Sequence, residues 1–284
     1  MKIFLKLITN IFLTSIGLSI LIGSFLKAVG PINQHNKITH KINIFKKSSS
    51  SVKKEQRTKN QKILLFNNNR LEKFERLEKL INKWQNIINK NKDLVVSAFF
   101  LSLDNQVYAE IKSDINLSAA SSIKVPILIV LLEMIDRKEI FWNEKLILSK
   151  DIIGGGSGWM AYQKIGDRFP IYEIASEMIR VSDNTATNLL IKRLGGVKIV
   201  NQKFKEIGLK NTQINNYLPD LDGTNFTSTK DLSLAMALVD NGYVLSVNSR
   251  DIFRQIMSTS KTNSLIPLGI LRGLGVESKE TDYH

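Results

Sequence analysis

Two short runs carry the chemistry this chain could perform: Ser121-Ser122-Ile123-Lys124 and Ser182-Asp183-Asn184. A serine attacks a carbonyl only when a neighbouring group takes its proton. Lys124 lies three residues after Ser121, one turn away on the same face of a helix. Its neighbours Ile123, Val125, Ile127 and Leu128 are apolar. Desolvation among them would lower its pKa and leave it neutral part of the time, able to accept that proton. In the second run, Ser182 could relay a proton to a leaving group, Asn184 could hold a substrate carbonyl and Asp183 could bond back to its own loop. Each run has a plain structural reading too. A serine three residues before a lysine also describes a helix N-cap followed by a snorkelling side chain. Ser-Asp-Asn also describes a cap cluster opening a helix at Thr185.

Composition removes most other chemistries. The chain has 284 residues, no cysteine and three histidines: His35, His40 and His284. Thiol nucleophiles, disulfides and cysteine metal sites are therefore absent. No histidine falls in the apolar-patterned region, so a Ser-His-Asp triad and a histidine zinc site are both disfavoured. A serine hydrolase on this chain needs lysine or a carboxylate as its base. Gly154 to Gly158 resembles a phosphate loop but lacks the following Gly-Lys-Ser/Thr. No metal and no cofactor are expected.

The formal charge is +14. Much of it lies between Lys37 and Lys62, opposed only by Glu55, in a stretch with few large apolar residues that cannot fold alone. Residues 31–67 read as a basic flexible linker. Attraction to lipid head groups or an acidic wall polymer is the next reading. Nucleic acid is not an expected partner, since only Phe45 interleaves the charges. Before the linker, Lys2 and Lys6 precede an apolar run from Leu7 to Leu26, long enough to span a bilayer. Residues 1–30 read as a membrane anchor or signal. Cleavage sites of small residues are poor there, which favours an uncleaved anchor. The basic stretch that follows leaves orientation open.

Residues 68–284 read as the folded domain. Leu71, Phe74, Leu77, Leu80, Ile81, Trp84, Ile87 and Ile88 recur at helical spacing. Residues 94–103 and 106–111 are β-rich runs around an Asx turn at Asp104-Asn105, which predicts an antiparallel hairpin. A helix apolar all round, and therefore central, begins near Ser121 or Ser122, with Pro126 in its first turn. Further helices are expected over 171–180, 185–194, 197–207, 230–239 and 250–257, with Gly195-Gly196 stopping the second. A hairpin followed by a helical block predicts an α+β fold.

Taken with their contexts, Ala119-Ala-Ser-Ser-Ile-Lys-Val-Pro-Ile-Leu128 and Met178-Ile-Arg-Val-Ser-Asp-Asn-Thr-Ala-Thr-Asn-Leu-Leu190 resemble the penicillin-recognising serine enzymes, most nearly the class A β-lactamases. The resemblance runs from about residue 68 to the C-terminus. Gly156-Ser-Gly158 before the second motif and Thr227-Ser-Thr-Lys-Asp-Leu232 after it agree. The resemblance implies a β-lactamase/transpeptidase-like fold, a helical subdomain plus an antiparallel sheet. It implies that Ser121 is the acylated nucleophile and Lys124 a base or proton relay. Ser182 would relay a proton to the β-lactam nitrogen, and Asn184 would contact the acyl side chain. The implied activity is hydrolysis of the β-lactam amide bond by a monomer anchored in a membrane on its extracytoplasmic, periplasmic side. The alternatives are a penicillin-binding D,D-peptidase or esterase acting on peptidoglycan peptides, or a catalytically inactive relative that binds the cell envelope.

Two departures bear on activity. The family's third motif, Lys-Thr/Ser-Gly on an inner strand, is missing. Lys261-Thr262-Asn263 carries asparagine where glycine belongs and reads as a polar turn. The motif would fall close to the chain's end, so the domain reads as incomplete at its C-terminal strands. Second, class A enzymes use a loop glutamate to activate the deacylating water. The corresponding loop here, residues 211–225, holds only Asp220 and Asp222 as carboxylates. An acyl-enzyme without that base forms but hydrolyses slowly.

Overall fold

The computed structural model describes residues 73–93, 95–261 and 266–274. The expected anchor, the basic linker and the last ten residues lie outside them. Among the described residues, no helix is long and apolar enough to cross a membrane.

The fold is α+β. A three-stranded sheet is ordered β1 (Glu75–Arg76), β3 (Val107–Ile111), β2 (Ala98–Ser102). Strands β2 and β3 form the expected antiparallel hairpin, with Ala98 opposite Ile111 and Ser102 opposite Val107. Helix α1 (Glu78–Lys90) covers one face of this sheet, burying Ile81 against Ala109 and Ile111. This corrects the expectation of a helix running from residue 71. Residues 75–76 instead pair in parallel with Val107 and Tyr108, and the helix begins only at Glu78. The backbone hydrogen bonds offered by β3 outweigh a helical pattern that the side chains alone would have extended.

The nucleophile's approach is fixed by a second, two-stranded pairing. Strand β4 (Leu117–Ser118) pairs with β7 (Phe226–Thr227), and the Ala119 amide donates to the Asn225 carbonyl at 2.8 Å. Ala120 then takes a left-handed backbone, φ 44°. A short 3-10 turn, Ala120–Ile123, runs directly into helix α2, Lys124–Asp136. Pro126 stands in the first turn of α2, where its missing N–H costs nothing.

Helix α2 is buried on all sides and packs against five others. These are α3 (Ile171–Arg180), α4 (Asn184–Arg193), α5 (Gly196–Glu206), α6 (Thr229–Asp240) and α7 (Val247–Met257). Ile127, Leu128, Ile129, Val130, Leu131 and Leu132 are each fully buried. Truncating any one of these leucines to alanine would cost about 2–5 kcal/mol. That central helix is what makes the position of Lys124 rigid. A further pairing, β5 (Lys145–Ile147) with β6 (Arg168–Pro170), two 3-10 turns, Lys150–Ile152 and Met160–Tyr162, and helix α8 (Ile266–Gly273) complete the described elements. Neither β4–β7, β5–β6 nor α8 is foreshadowed by a long periodic run, because each is too short to show one.

Candidate active site

The four residues singled out from sequence meet at one point. Ser121 is exposed, while Lys124, one turn later, is only 2% exposed. The Lys124 ammonium reaches four acceptors: Ser121 Oγ at 3.4 Å, Ser182 Oγ at 2.8 Å, the Ser182 carbonyl at 2.5 Å and Asn184 Oδ1 at 3.0 Å. Ser182 Oγ donates in turn to Ser121 Oγ at 2.8 Å. A continuous path for a proton therefore joins the two serines and the lysine. Burial lowers the Lys124 pKa to about 8, against the opposing pull of Asp183. At pH 7 about a tenth of the molecules then carry a neutral amine with a lone pair for the Ser121 proton.

The turn that presents Ser182 is held from three sides. Helix α3 ends at Arg180, and the Asp183 amide donates back to the Glu177 carbonyl at 3.2 Å. Between them Ser182 has φ 59°, a conformation unusual for a residue with a side chain and one that clusters at functional sites. Asp183, 1% exposed, caps α4 through Oδ1, which accepts from the Ala186 amide at 2.8 Å. Its Oδ2 accepts from the Trp159 and Met160 amides at 2.7 and 2.8 Å. The sequence suggested that Asp183 bonds back to its own loop. It also reaches across to the segment beginning at Gly154. Gly158 is required there, because a Cβ at its φ of 96° would lie 2.1 Å from Asp183 Oδ2.

Asn184 is more committed than its proposed substrate role suggests. Its oxygen accepts from Lys124, its Nδ2 donates to the Gly155 carbonyl at 2.9 Å, and its amide donates to the Ser157 carbonyl at 3.2 Å. One side chain thus links the base to the rim segment that faces it.

Several polar residues that shape the site were not singled out from sequence. Thr185 and Asn188 follow Asn184 on buried faces of α4. Thr185 Oγ1 exchanges hydrogen bonds with Gly154, accepting from its amide and donating to its carbonyl at 3.0 and 3.1 Å. Asn188 Oδ1 accepts from the Leu218 amide at 2.8 Å, and its Nδ2 donates to the Leu218 carbonyl at 2.7 Å. The available signal was a helix carrying Asn184, Thr185, Thr187 and Asn188 where a buried face should be apolar.

The 211–225 loop, which Asn188 ties down, closes on itself. Asn225 Oδ1 accepts from the Asn215 and Asn216 amides at 2.7 and 2.9 Å, and its Nδ2 donates to the Asn216 carbonyl at 3.0 Å. Asp220 accepts from Thr224 Oγ1 at 2.8 Å and the Asn225 amide at 2.6 Å. Burial alone would push the Asp220 carboxyl up, but bonds from Asn225, Thr224 and Asn216 outweigh it and hold it below its ordinary range. A carboxylate so occupied is a poor general base near neutral pH. As for Lys261-Thr262-Asn263, Thr262 and Asn263 lie outside the described residues. The Lys261 amide donates to the Arg180 carbonyl at 3.3 Å.

Known proteins share this arrangement of chain. The structure of PBP-A matches with 39% sequence identity and a TM-score of 0.68, covering 69% of this chain and 74% of that one. A point mutant of PBP-A, solved as an acyl-enzyme complex with penicillin G, matches at 38% and 0.67 over the same shares. The β-lactamase BRO-1 of Moraxella catarrhalis is 27% identical over 157 residues, 55% of this chain and 48% of that enzyme. The chain spans about half the length of such curated relatives. A sequence model described as the β-lactamase enzyme family matches residues 79–284, most of the chain and all of the site just described. The chain belongs to the β-lactamase enzyme family.

Proposed function

We propose that this protein is a serine hydrolase acylated at Ser121 by β-lactams, opening the β-lactam amide bond and releasing the product slowly. The observation that carries the proposal is the unbroken set of contacts from Lys124 to Ser182 to Ser121. Neutral Lys124 takes the Ser121 proton, directly or through the Ser182 hydroxyl. Ser121 Oγ bonds to the lactam carbonyl carbon, and the C–N bond breaks. The proton returns through Ser182 Oγ to the departing nitrogen. An ester on Ser121 remains, and water must later cleave it to restore the hydroxyl.

Asn184 contacts the acyl side chain in this reading while steadying Lys124. The expected membrane anchoring through residues 1–30 is part of the same proposal, supported by the apolar run Leu7–Leu26, and the extracytoplasmic location and the monomeric state are carried with it as what the family resemblance implies.

A second reading, a penicillin-binding peptidase or esterase acting on wall peptides, is favoured by one observation: the loop carboxylate Asp220 is spent on its own loop. Fluorescent penicillin and a chromogenic cephalosporin separate the two readings. Slow but repeated cephalosporin turnover through a label that Ser121→Ala abolishes supports the hydrolase, and a Ser121 label that never clears, with no turnover, supports the peptidase reading. Folded protein that gives neither signal overturns both.

A further inference from the structure

Glu177 sits in the last turn of α3 and takes no part in the proton path. Its carboxylate is nevertheless fully engaged. Oε1 accepts from Arg180 Nε at 2.7 Å, and Oε2 accepts from Arg180 Nη2 and from Trp159 Nε1, both at 2.6 Å. The bonds from Arg180, with a smaller contribution from Trp159, hold this carboxyl below its ordinary range against the effect of burial. Trp159 also stacks edge-on against Phe169, with ring centres 5.8 Å apart.

These contacts close a ring. The Trp159 indole donates to the Glu177 side chain, the Trp159 amide donates to the Asp183 side chain, and the Asp183 amide donates to the Glu177 carbonyl. Ser182, at φ 59°, lies inside the ring, next to Asp183. A serine keeps that conformation only where its surroundings over-determine it. The conformation matters because it turns both the Ser182 carbonyl and the Ser182 hydroxyl toward Lys124, at 2.5 and 2.8 Å.

We propose that Glu177 is a positioning residue: acting through the Trp159 indole and Asp183, it holds Ser182 in the left-handed conformation that aims two oxygens at Lys124. The inference rests on the acylation reading above and adds a residue to it. Glu177 touches none of the reacting atoms. Its influence passes through a hydrogen bond that can be removed without emptying the site.

The test compares Trp159→Phe, which keeps an aromatic ring but removes the indole donor, with Glu177→Ala, Glu177→Gln and the double variant Trp159→Phe/Glu177→Ala. Two quantities are measured on folded protein. One is the rate of acylation by fluorescent penicillin. The other is the titration of the Lys124 side chain by NMR without substrate, where the facing groups are Ser121, Ser182, Asn184 and Asp183. Trp159→Phe and Glu177→Ala should each slow acylation about tenfold, and the double variant should be no slower than the worse single one. Glu177→Gln, which keeps an acceptor for the indole, should recover part of the rate. The Lys124 midpoint should rise in the slowed variants as water enters. Lowered melting temperature with unchanged rate and midpoint would make Glu177 merely structural and overturn the inference, as would multiplying effects in the double variant. If the wild type is not labelled at all, the acylation reading fails. The Lys124 midpoint alone then decides the role of Glu177.

Discussion

The turn at Ser182–Asn184 and the loop at 211–225 are both built from short polar residues, yet they spend their hydrogen bonds in opposite ways. The turn points outward. Ser182 and Asn184 direct three oxygens at Lys124, and Asp183 reaches the Trp159 and Met160 amides. The loop points inward. Asn225 and Asp220 satisfy Asn215, Asn216 and Thr224, and Asn188, Asn201 and Asp231 tie the loop to three helices. The first arrangement prepares a serine for attack. The second spends Asp220 on its own fold and leaves Asp222 exposed, outside the contacts that join Ser121, Lys124 and Ser182. In the proposed reaction, acylation and release are separate chemical demands, and the turn meets the first without help from the loop.

The largest expected effect breaks the outward-pointing region. Ser121→Ala should remove the covalent adduct altogether, read by intact-protein mass spectrometry after exposure to penicillin G. Lys124→Met should come next, slowing acylation by on the order of 10²–10⁴. The same substitution should change stability in a way that depends on pH. The folded-state pKa of Lys124, about 8, lies below its unfolded value of 10.5, so the unfolded chain binds more protons between those values. Burying the charged form therefore costs wild type stability below pH 8, by roughly 3 kcal/mol, and the cost fades as pH rises to 10.5. The melting-temperature difference between Lys124→Met and wild type should shift in favour of wild type across that window. A difference flat with pH would show that Lys124 is not desolvated as described.

A smaller effect sharpens the contrast from the other side. Asn225→Ala strands two loop amides and the Asn216 carbonyl, which should cost about 1–3 kcal/mol in chemical denaturation. Because the loop does not contact Lys124, the acylation rate should change by less than about threefold, well under the effect of a lost catalytic group. An acylation loss as large as that of Lys124→Met would erase the distinction between the two regions.

How much of this was legible beforehand follows the same division. Long apolar periodicity revealed α2 and the helices around it, because a helix buried among five others must be apolar along its length. The β2–β3 hairpin showed through its β-rich runs and Asx turn. Ser121, Lys124, Ser182 and Asn184 could be named because two motifs occurred with matching contexts. What stayed hidden was mostly backbone. The left-handed Ser182, the pairing of β4 with β7 and the parallel addition of residues 75–76 leave no side-chain pattern. Glu177 and Trp159 are eighteen residues apart and meet only after two turns of chain are folded. Asn225 reads as an ordinary surface asparagine until its loop partners are seen, and Asn188 shows only as a polar residue on a helix that should be buried.

The most direct test measures acylation and release on the same sample, following the mass of the intact protein through a pulse of penicillin G and its removal, at several pH values. The adduct should form on Ser121, with a rate that climbs about tenfold per unit below pH 8 and levels off above it. It should persist long after free drug is gone. Turnover of penicillin without an accumulating adduct, or an acylation rate indifferent to pH between 6 and 9, would contradict a site in which neutral Lys124 drives attack and release is slow.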